Sequence, residues 1–502
     1  MSPSHLSEPA QLSIPGAPPS HIGRRLLQVV FLVSLAFINP WVRGDGVGYY
    51  AFVRAPLIQH NLDFLADYQH ANESFRVNRL DEHAEAKPMF RTSTGHLDNH
   101  FSVGPAILWA PFLLLTHGGV LVARAMGSSV SADGLSAPYH FTMALATAFY
   151  GFLGLLMSFR LACDYVEERW ALLATFAIWW ASSLPVYMYF NPSWSHAHSA
   201  FAAALFLWYW HKTQASRSFV QWLVLGLTAG LMVNVYYANT MVLLVLAVEG
   251  IFQYLSLLRR DSQSSAGSSR LSTLFVSHVL FAITLLACLL PTFLTRYRIY
   301  GEPFKSGYLP LRNWLWSSPA FFGVLFSSDH GLLAWTPLLL FSILGLFLFW
   351  RRMPLVGASL LAAFLGFYVL IACYPDWNGI SSYGNRFFVS LTSLFILGLA
   401  VSLDHFAQFF RSRKAALASA CVSVTVFVLW NTGLMSQWGA HLIPVRGPVP
   451  FSLVTYNQLL VVPRELSADL YRYLFKRRTL MQQIERRDIQ QLEKSPTQPE
   501  LP

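Results

Sequence analysis

Charge is what this sequence has least of. Only 12% of its 502 residues are Asp, Glu, Lys or Arg, while 54% are hydrophobic. A soluble chain carries about 25% charged residues, so a water-surrounded globule of this size is excluded. Cysteine is also scarce. Cys163, Cys288, Cys373 and Cys421 stand far apart, in or beside apolar runs, which excludes zinc spacing and a disulfide framework. The sequence contains no Walker A motif, no G-x-G-x-x-G before a helix, no G-x-S-x-G and no H-E-x-x-H. ATP hydrolysis and the common soluble hydrolase chemistries therefore have no support. No internal repeat is visible, which weakens a transporter built from inverted repeats.

Aromatic residues and long apolar runs are plentiful: 39 Phe, 21 Tyr and 16 Trp suit many membrane–water boundaries. A spanning helix needs roughly 20 mostly apolar residues. Runs near that length lie at 26–42, 139–160, 170–190, 196–210, 219–235, 237–256, 272–295, 331–350, 354–373, 387–408 and 415–435. A twelfth run, 103–123, is ambiguous. If it does not cross, Arg24–Arg25, Arg160 with Arg169, Lys212 with Arg217, Arg259–Arg260 with Arg270, Arg351–Arg352, and Arg411, Arg413 with Lys414 all fall on one side. That is the cytoplasmic bias of basic loops. If it crosses, every later cluster flips outward. The net charge of +10 is thus spread over loops, with no basic surface for nucleic acid.

The expectation is an all-α polytopic membrane protein of about eleven spans. Residues 1–25 read as a disordered cytoplasmic N-terminus, with Arg24–Arg25 ahead of an uncleaved signal anchor. The transmembrane domain is 26–435. Its large outer loop, 43–138, contains the segment 103–123, which lies in the interface or dips in and returns. Residues 436–502 form an outer, partly helical tail.

This topology puts nearly all the chemically capable side chains on one face. In "INPWVRGDGVGYY", Asp45 stands among Gly44, Gly46 and Gly48 at the mouth of the first span. It is either a helix N-cap or a general base. The glycines favour the second, because they let a bulky ligand approach the backbone. Asp63 and Asp67 are spaced to share a helix face, either as a solvated pair or as acid, base or cation ligands. His196 and His198, in "SHAHS", point to different sides of a helix and make a poor bidentate metal site. Asp329 and His330 adjoin a span as a cap or part of a polar cavity. Arg296, Arg298 and Lys305 run against the inside bias, so an anionic group such as a phosphate gives them a reason, as do lipid head groups. Asp376, Asn378, Tyr383, Asn385 and Arg386 fill one short loop, where Arg386 either reaches a phosphate or snorkels.

The segments "GDGVGYYAFVRAPLIQHNLDF", "FSVGPAILWAPFLL", "DHGLLAWTPLLL" and "SSYGNRFFVSLTSLF" resemble those of bacterial GT-C integral-membrane glycosyltransferases. That superfamily includes protein O-mannosyltransferases and lipid A aminoarabinose transferases, and the likeness covers about residues 25–435. It implies a sugar donor on a polyprenyl phosphate, an acceptor hydroxyl on a glycan, lipid or protein, and an active site on the outer face of the cell (inner) membrane. It implies that Asp45 is the catalytic base. Many members carry two adjacent acids there, and this chain has Asp45–Gly46, so Asp63 and Asp67 stand as alternative carboxylates. Arg296, Arg298, Lys305 and Arg386 are the candidates for the donor phosphate. Tyr49, His196, His198, Tyr237, Asp329, His330, Asp376 and Tyr383 are the candidates for lining the substrate. The sequence establishes no cofactor, and a divalent ion is left open by the carboxylates and histidines. The rival readings are a transporter or lipid-glycan flippase, which calls for charged residues along a membrane pathway, and a non-catalytic scaffold.

Overall fold

The computed structural model describes residues 21–261, 265–305 and 307–494. Of residues 1–25, expected to be disordered, 1–20 lie outside the described residues and 21–25 are the first turn of a helix. Among the described residues there is no β-strand, only two isolated bridges in the first loop. The protein is all-α.

The first helix, α1 (His21–Ser34), leads into a loop that holds α2 (Asp45–Arg54), α3 (Leu65–Gln69) and α4 (Glu73–Arg79). Then follow α5 (Gly104–Ala125), α6 (Ala137–Cys163), α7 (Glu168–Trp180), α8 (His196–Thr213) and α9 (Phe219–Val235). The next group is α10 (Leu244–Asp261), α11 (Ser265–Cys288) and α12 (Leu290–Tyr300), with short α13 (Phe321–Phe326) and α14 (Leu332–Trp335) in the following loop. The bundle ends with α15 (Leu339–Arg352), α16 (Pro354–Cys373), α17 (Thr392–Ala407) and α18 (Arg413–Gly439). Beyond it lie α19 (Phe451–Tyr456), α20 (Val462–Phe475) and α21 (Arg477–Lys494).

Proline sits in the first turn of α5, α6, α12, α16 and α20, where its missing N–H has no helical partner to lose. Ser218 and Gln221 close a capping box at the start of α9. In the centre, α15 and α17 cross where Gly345 and Gly398 leave no room for a Cβ, the small-residue contact that lets membrane helices approach.

Among the described residues, seven helices are long and apolar enough to cross a membrane: Gly104–Ala125, Ala137–Cys163, Tyr237–Arg259, Ser269–Cys288, Pro354–Cys373, Arg386–Ala407 and Arg413–Gly439. This is a multi-pass membrane protein. The shorter count than eleven arises partly where an apolar run is broken. The run 170–190 bends at Ala181–Ser183 just before Pro185, and 331–350 is interrupted at Thr336–Pro337; proline cannot continue the helical hydrogen-bond ladder.

The bundle has two unlike ends. At one, Gly23 N–H donates to Glu168 Oε1 (3.2 Å), Lys212 pairs with Asp164, Arg352 with Asp404, and Arg413 with Glu167. The basic clusters singled out in the sequence whose contacts are described here thus gather at that end. At the other end lie Asp45 and the loops after α1, α7, α9, α12, α16 and α18. The segment 103–123 is one uninterrupted helix, α5, so no return occurs within it. Gly104 backs onto Asn234–Val235 at the end of α9, Trp109 donates to Thr147, Thr116 to Thr142, and His117 meets Tyr139. It therefore follows only the Asp45 half of α6.

Candidate functional site

The end of the bundle that carries Asp45 encloses a cavity of about 570 Å³. Its walls come from the turn after α1 (Trp41, Arg43, Asp45), the turn before α8 (Trp194), the loop before α17 (Gly379, Arg386) and α18 (Trp438). Further wall comes from α4 (Phe75, Asn78, Arg79) and from α20 and α21, through Leu466, Asp469, Tyr473, Met481 and Asp488.

Gly44, at φ +53°, supplies the left-handed turn that starts α2. Asp45 is then the first helical residue, and the helix start has no side-chain cap bond, so the N-cap reading does not describe it. Its carboxylate instead accepts a hydrogen bond from Arg386 Nη1 at 2.7 Å, across 341 residues of sequence. The Arg386 guanidinium lies 4.5 Å above the Trp194 ring, a cation–π seat that fixes its plane. Its Nε is buried without a partner. The other two glycines do not make room for a ligand, as the sequence suggested. The space beside Gly46 is filled by Ser193 and that beside Gly48 by Phe101 and Asn99; they let the protein pack on itself.

Polar groups surround the pair. Tyr49 OH accepts from Ser195 Oγ (3.0 Å), and burial, then the nearby Asp45 charge, raise its phenol above the ordinary range. His196 lies 4.7 Å from Tyr187 and 5.8 Å from Tyr236, ring to ring, with Nδ1 buried and unpartnered. Ser193 Oγ is buried without a partner as well. Asp376 is raised by burial, against the opposing influence of Arg386. Asp329 accepts from Asn378 (2.8 Å) and sits 3.4 Å from His330 Nδ1. Burial holds His330 down to about 4, although Asp329 pulls the other way, so the ring is neutral.

Of the residues singled out in the sequence, Asp45 and Arg386 line the cavity; several others have different work. Asp67 is fully buried in a two-pronged ion pair with Arg54, both contacts at 2.5 Å, so it is no free carboxylate. Asp63 accepts from Leu65 N–H (3.0 Å) at the start of α3 and is exposed. Arg296 spends its guanidinium on the carbonyls of Asn99, His100 and Phe101 and on the hydroxyl of Tyr237; it clamps a loop and has little left for a phosphate. Arg298 and Lys305 are exposed and outside the cavity wall, with Lys305 loosely paired to Glu302 at 3.9 Å. His198 is enclosed between Trp109 and Tyr150. Tyr383 is a buried tie, donating to Asn431 Oδ1 (2.7 Å).

No group of three His, Cys, Asp or Glu side chains comes together among the described residues. The Asp45 carboxylate is paired with Arg386. The sequence reading missed the wall built by α20 and α21. The signal was present in α20, where Leu466, Leu470 and Tyr473 recur on one face.

No family model and no curated protein matches the sequence. Among solved structures, the chain is similar to the oligosaccharyltransferase AglB from Archaeoglobus fulgidus, in complex with an inhibitory peptide and a dolichol-phosphate. Identity is 13% over 86% of this chain and 56% of that one, with a TM-score of 0.49. It is also similar to ArnT from Cupriavidus metallidurans bound to undecaprenyl phosphate. There identity is 14% over 91% of this chain and 77% of that one, with a TM-score of 0.44. The chain spans little more than half the length of the archaeal enzyme. Identities this low say nothing of substrate, and the chemistry below stands on the cavity.

Proposed function

We propose that this protein is a membrane glycosyltransferase of the GT-C type, moving a sugar from a polyprenyl-phosphate carrier to an acceptor hydroxyl. The observation that carries the reading is the Asp45–Arg386 pair. A carboxylate and a guanidinium whose buried Nε has no partner share the wall of an aromatic cavity, at the end of the bundle away from the basic clusters. By the cytoplasmic bias of such clusters, that end faces the exterior or periplasm.

Arg386 donates to Asp45 through Nη1 and has Nε to spare. A phosphate entering the cavity would draw the guanidinium toward itself, since Arg forks suit phosphate, and would release the carboxylate. Asp45 would take the proton from the acceptor hydroxyl as that oxygen bonds to the anomeric carbon. The bond from that carbon to the phosphate oxygen would break, and the polyprenyl phosphate would leave with its charge held by Arg386. Trp194 and the neighbouring aromatic faces offer stacking surfaces for the sugar ring.

The test is sugar release from a panel of polyprenyl-phosphate sugars by purified protein in lipid, comparing wild type with Asp45→Asn. Loss of a positioned base lowers turnover by about 10²- to 10⁴-fold, and donor binding should persist. Equal turnover in both proteins would remove Asp45 from the chemistry. A flippase would move the intact donor across a vesicle without cleaving it.

A further inference from the structure

The chain after α18 turns back along the helix it has just left. Gln437 Nε2 donates to Val454 O (3.3 Å) and Gln458 Oε1 (2.8 Å), and Asn457 donates to Leu442 O (3.2 Å). Gln458 Nε2 in turn reaches Trp430 O (3.2 Å) and Leu429 O (3.4 Å), and its side chain fills the space beside Gly433. Trp430 lies nine residues inside the end of α18 at Gly439. At 1.5 Å per residue, Gln458 is therefore about 14 Å below that end. Leu429, Val426 and Val422 on the same spanning helix are 63%, 59% and 64% exposed, which in a spanning helix means facing lipid.

The returning segment carries two unlike faces. Leu466, Leu470 and Tyr473 line the cavity, and Tyr473 OH is tied to Phe37 O at 2.7 Å. Phe451, Tyr456, Leu459, Tyr471 and Phe475 lie outside the cavity wall and are left uncovered. In α20, Arg464, Tyr471 and Phe475 share one side of the helix. Around this apolar face stand exposed Arg464, Arg472, Lys476 and Arg478, outnumbering Glu465 and Asp469. Apolar side chains level with a spanning helix, rimmed by long basic ones, suit a segment lying in the membrane interface.

We infer that Phe451–Phe475 docks on phospholipid. Leu459 and Leu460 sit among acyl chains beside Leu429, Tyr471 and Phe475 lie at the interface, and Arg464, Lys476 and Arg478 meet lipid phosphates, flanked by Arg472 in its pair with Asp469. The segment expected to be an outer tail is thus a partition, with lipid on one side and the cavity on the other.

The intact protein in a bilayer disc tests this, using a phospholipid that bears a carbene-generating group on its acyl chain, followed by peptide mapping. Side chains sharing one solvent should label alike, so adducts on 451–475 should come within about twofold of those on Val422–Leu429. Adducts confined to the spans, with Tyr471 and Phe475 instead oxidised by hydroxyl radicals from water, would overturn the inference. Replacing Arg464, Arg472, Lys476 and Arg478 by Ser should lower labelling at Tyr471 and Phe475 and spare Leu459. Unchanged labelling there would overturn the docking on phosphates.

Discussion

Two arginine–carboxylate pairs stand near the same mouth, and they differ in what they leave unused. In Arg54–Asp67 both carboxylate oxygens are taken, both side chains are almost wholly buried, and spare guanidinium donors go to Gln59 and the Asp133 carbonyl. In Arg386–Asp45 there is one contact, the aspartate keeps a third of its surface, and Arg386 Nε has no partner. The first is a closed joint inside the loop. The second is an open one on a cavity wall. An ion pair with vacant hydrogen-bonding capacity can exchange partners, and one without it cannot.

Removing one side of the closed joint should have the largest effect. Arg54→Ala strands a buried carboxylate, and thermal or denaturant unfolding should show a loss of about 3–5 kcal/mol. Asp45→Asn, at a half-open pair, should cost no more than about 1 kcal/mol in the same assay. Equal losses would erase the distinction between the pairs.

Next comes Arg386→Lys, which keeps the charge and loses the fork and its free Nε. Turnover should fall by about 10- to 100-fold, the range of one or two lost charge-assisted hydrogen bonds, with unfolding little changed. Activity equal to wild type would mean that the guanidinium only balances Asp45.

His330 gives a smaller effect, tied to pH. Its ring is held neutral by burial, down to about 4 from an ordinary 6.5. The unfolded chain takes up the proton first as pH falls, so His330 stabilises the fold above about pH 6.5 and that share is lost on the way down to 4. Melting temperature should drop across this window, and less steeply in His330→Gln. The smallest effect is expected for Arg298→Ala with Lys305→Ala. Both side chains are exposed and off the cavity wall, so turnover should stay within about twofold, as at surface sites generally. A large loss would restore them as phosphate ligands.

The all-helical membrane architecture could be read from apolar run lengths, and the one-sided gathering of basic clusters from their spacing. Asp45 and Arg386 could each be singled out, because a charge beside a span has to be accounted for. What could not be read was that they meet, since nothing local links positions 341 residues apart. Asp67 and Arg296 were misread for the same reason. A sequence displays a charge but not its partner, and theirs are an arginine thirteen residues away and a set of backbone carbonyls. The breaks at Ala181–Ser183 and Thr336–Pro337 carried a visible signal in Pro185 and Pro337, which run length alone passed over. The C-terminal wall was hidden because its period marks an amphipathic helix without saying which two media it divides.

That wall also sets an order of events in the making of the protein. Asp45 emerges early in synthesis and Arg386 much later, but the side chains that close the cavity, Leu466 to Asp488, come later still. The ion pair from Arg43 to Asp488 and the hydrogen bonds from Asn72 and Ser74 to Glu485 join an early part of the chain to a much later one. Until they form, the Asp45 pocket stands open on one side, and a chain that stalls before residue 466 would carry Asp45 and Arg386 without that wall.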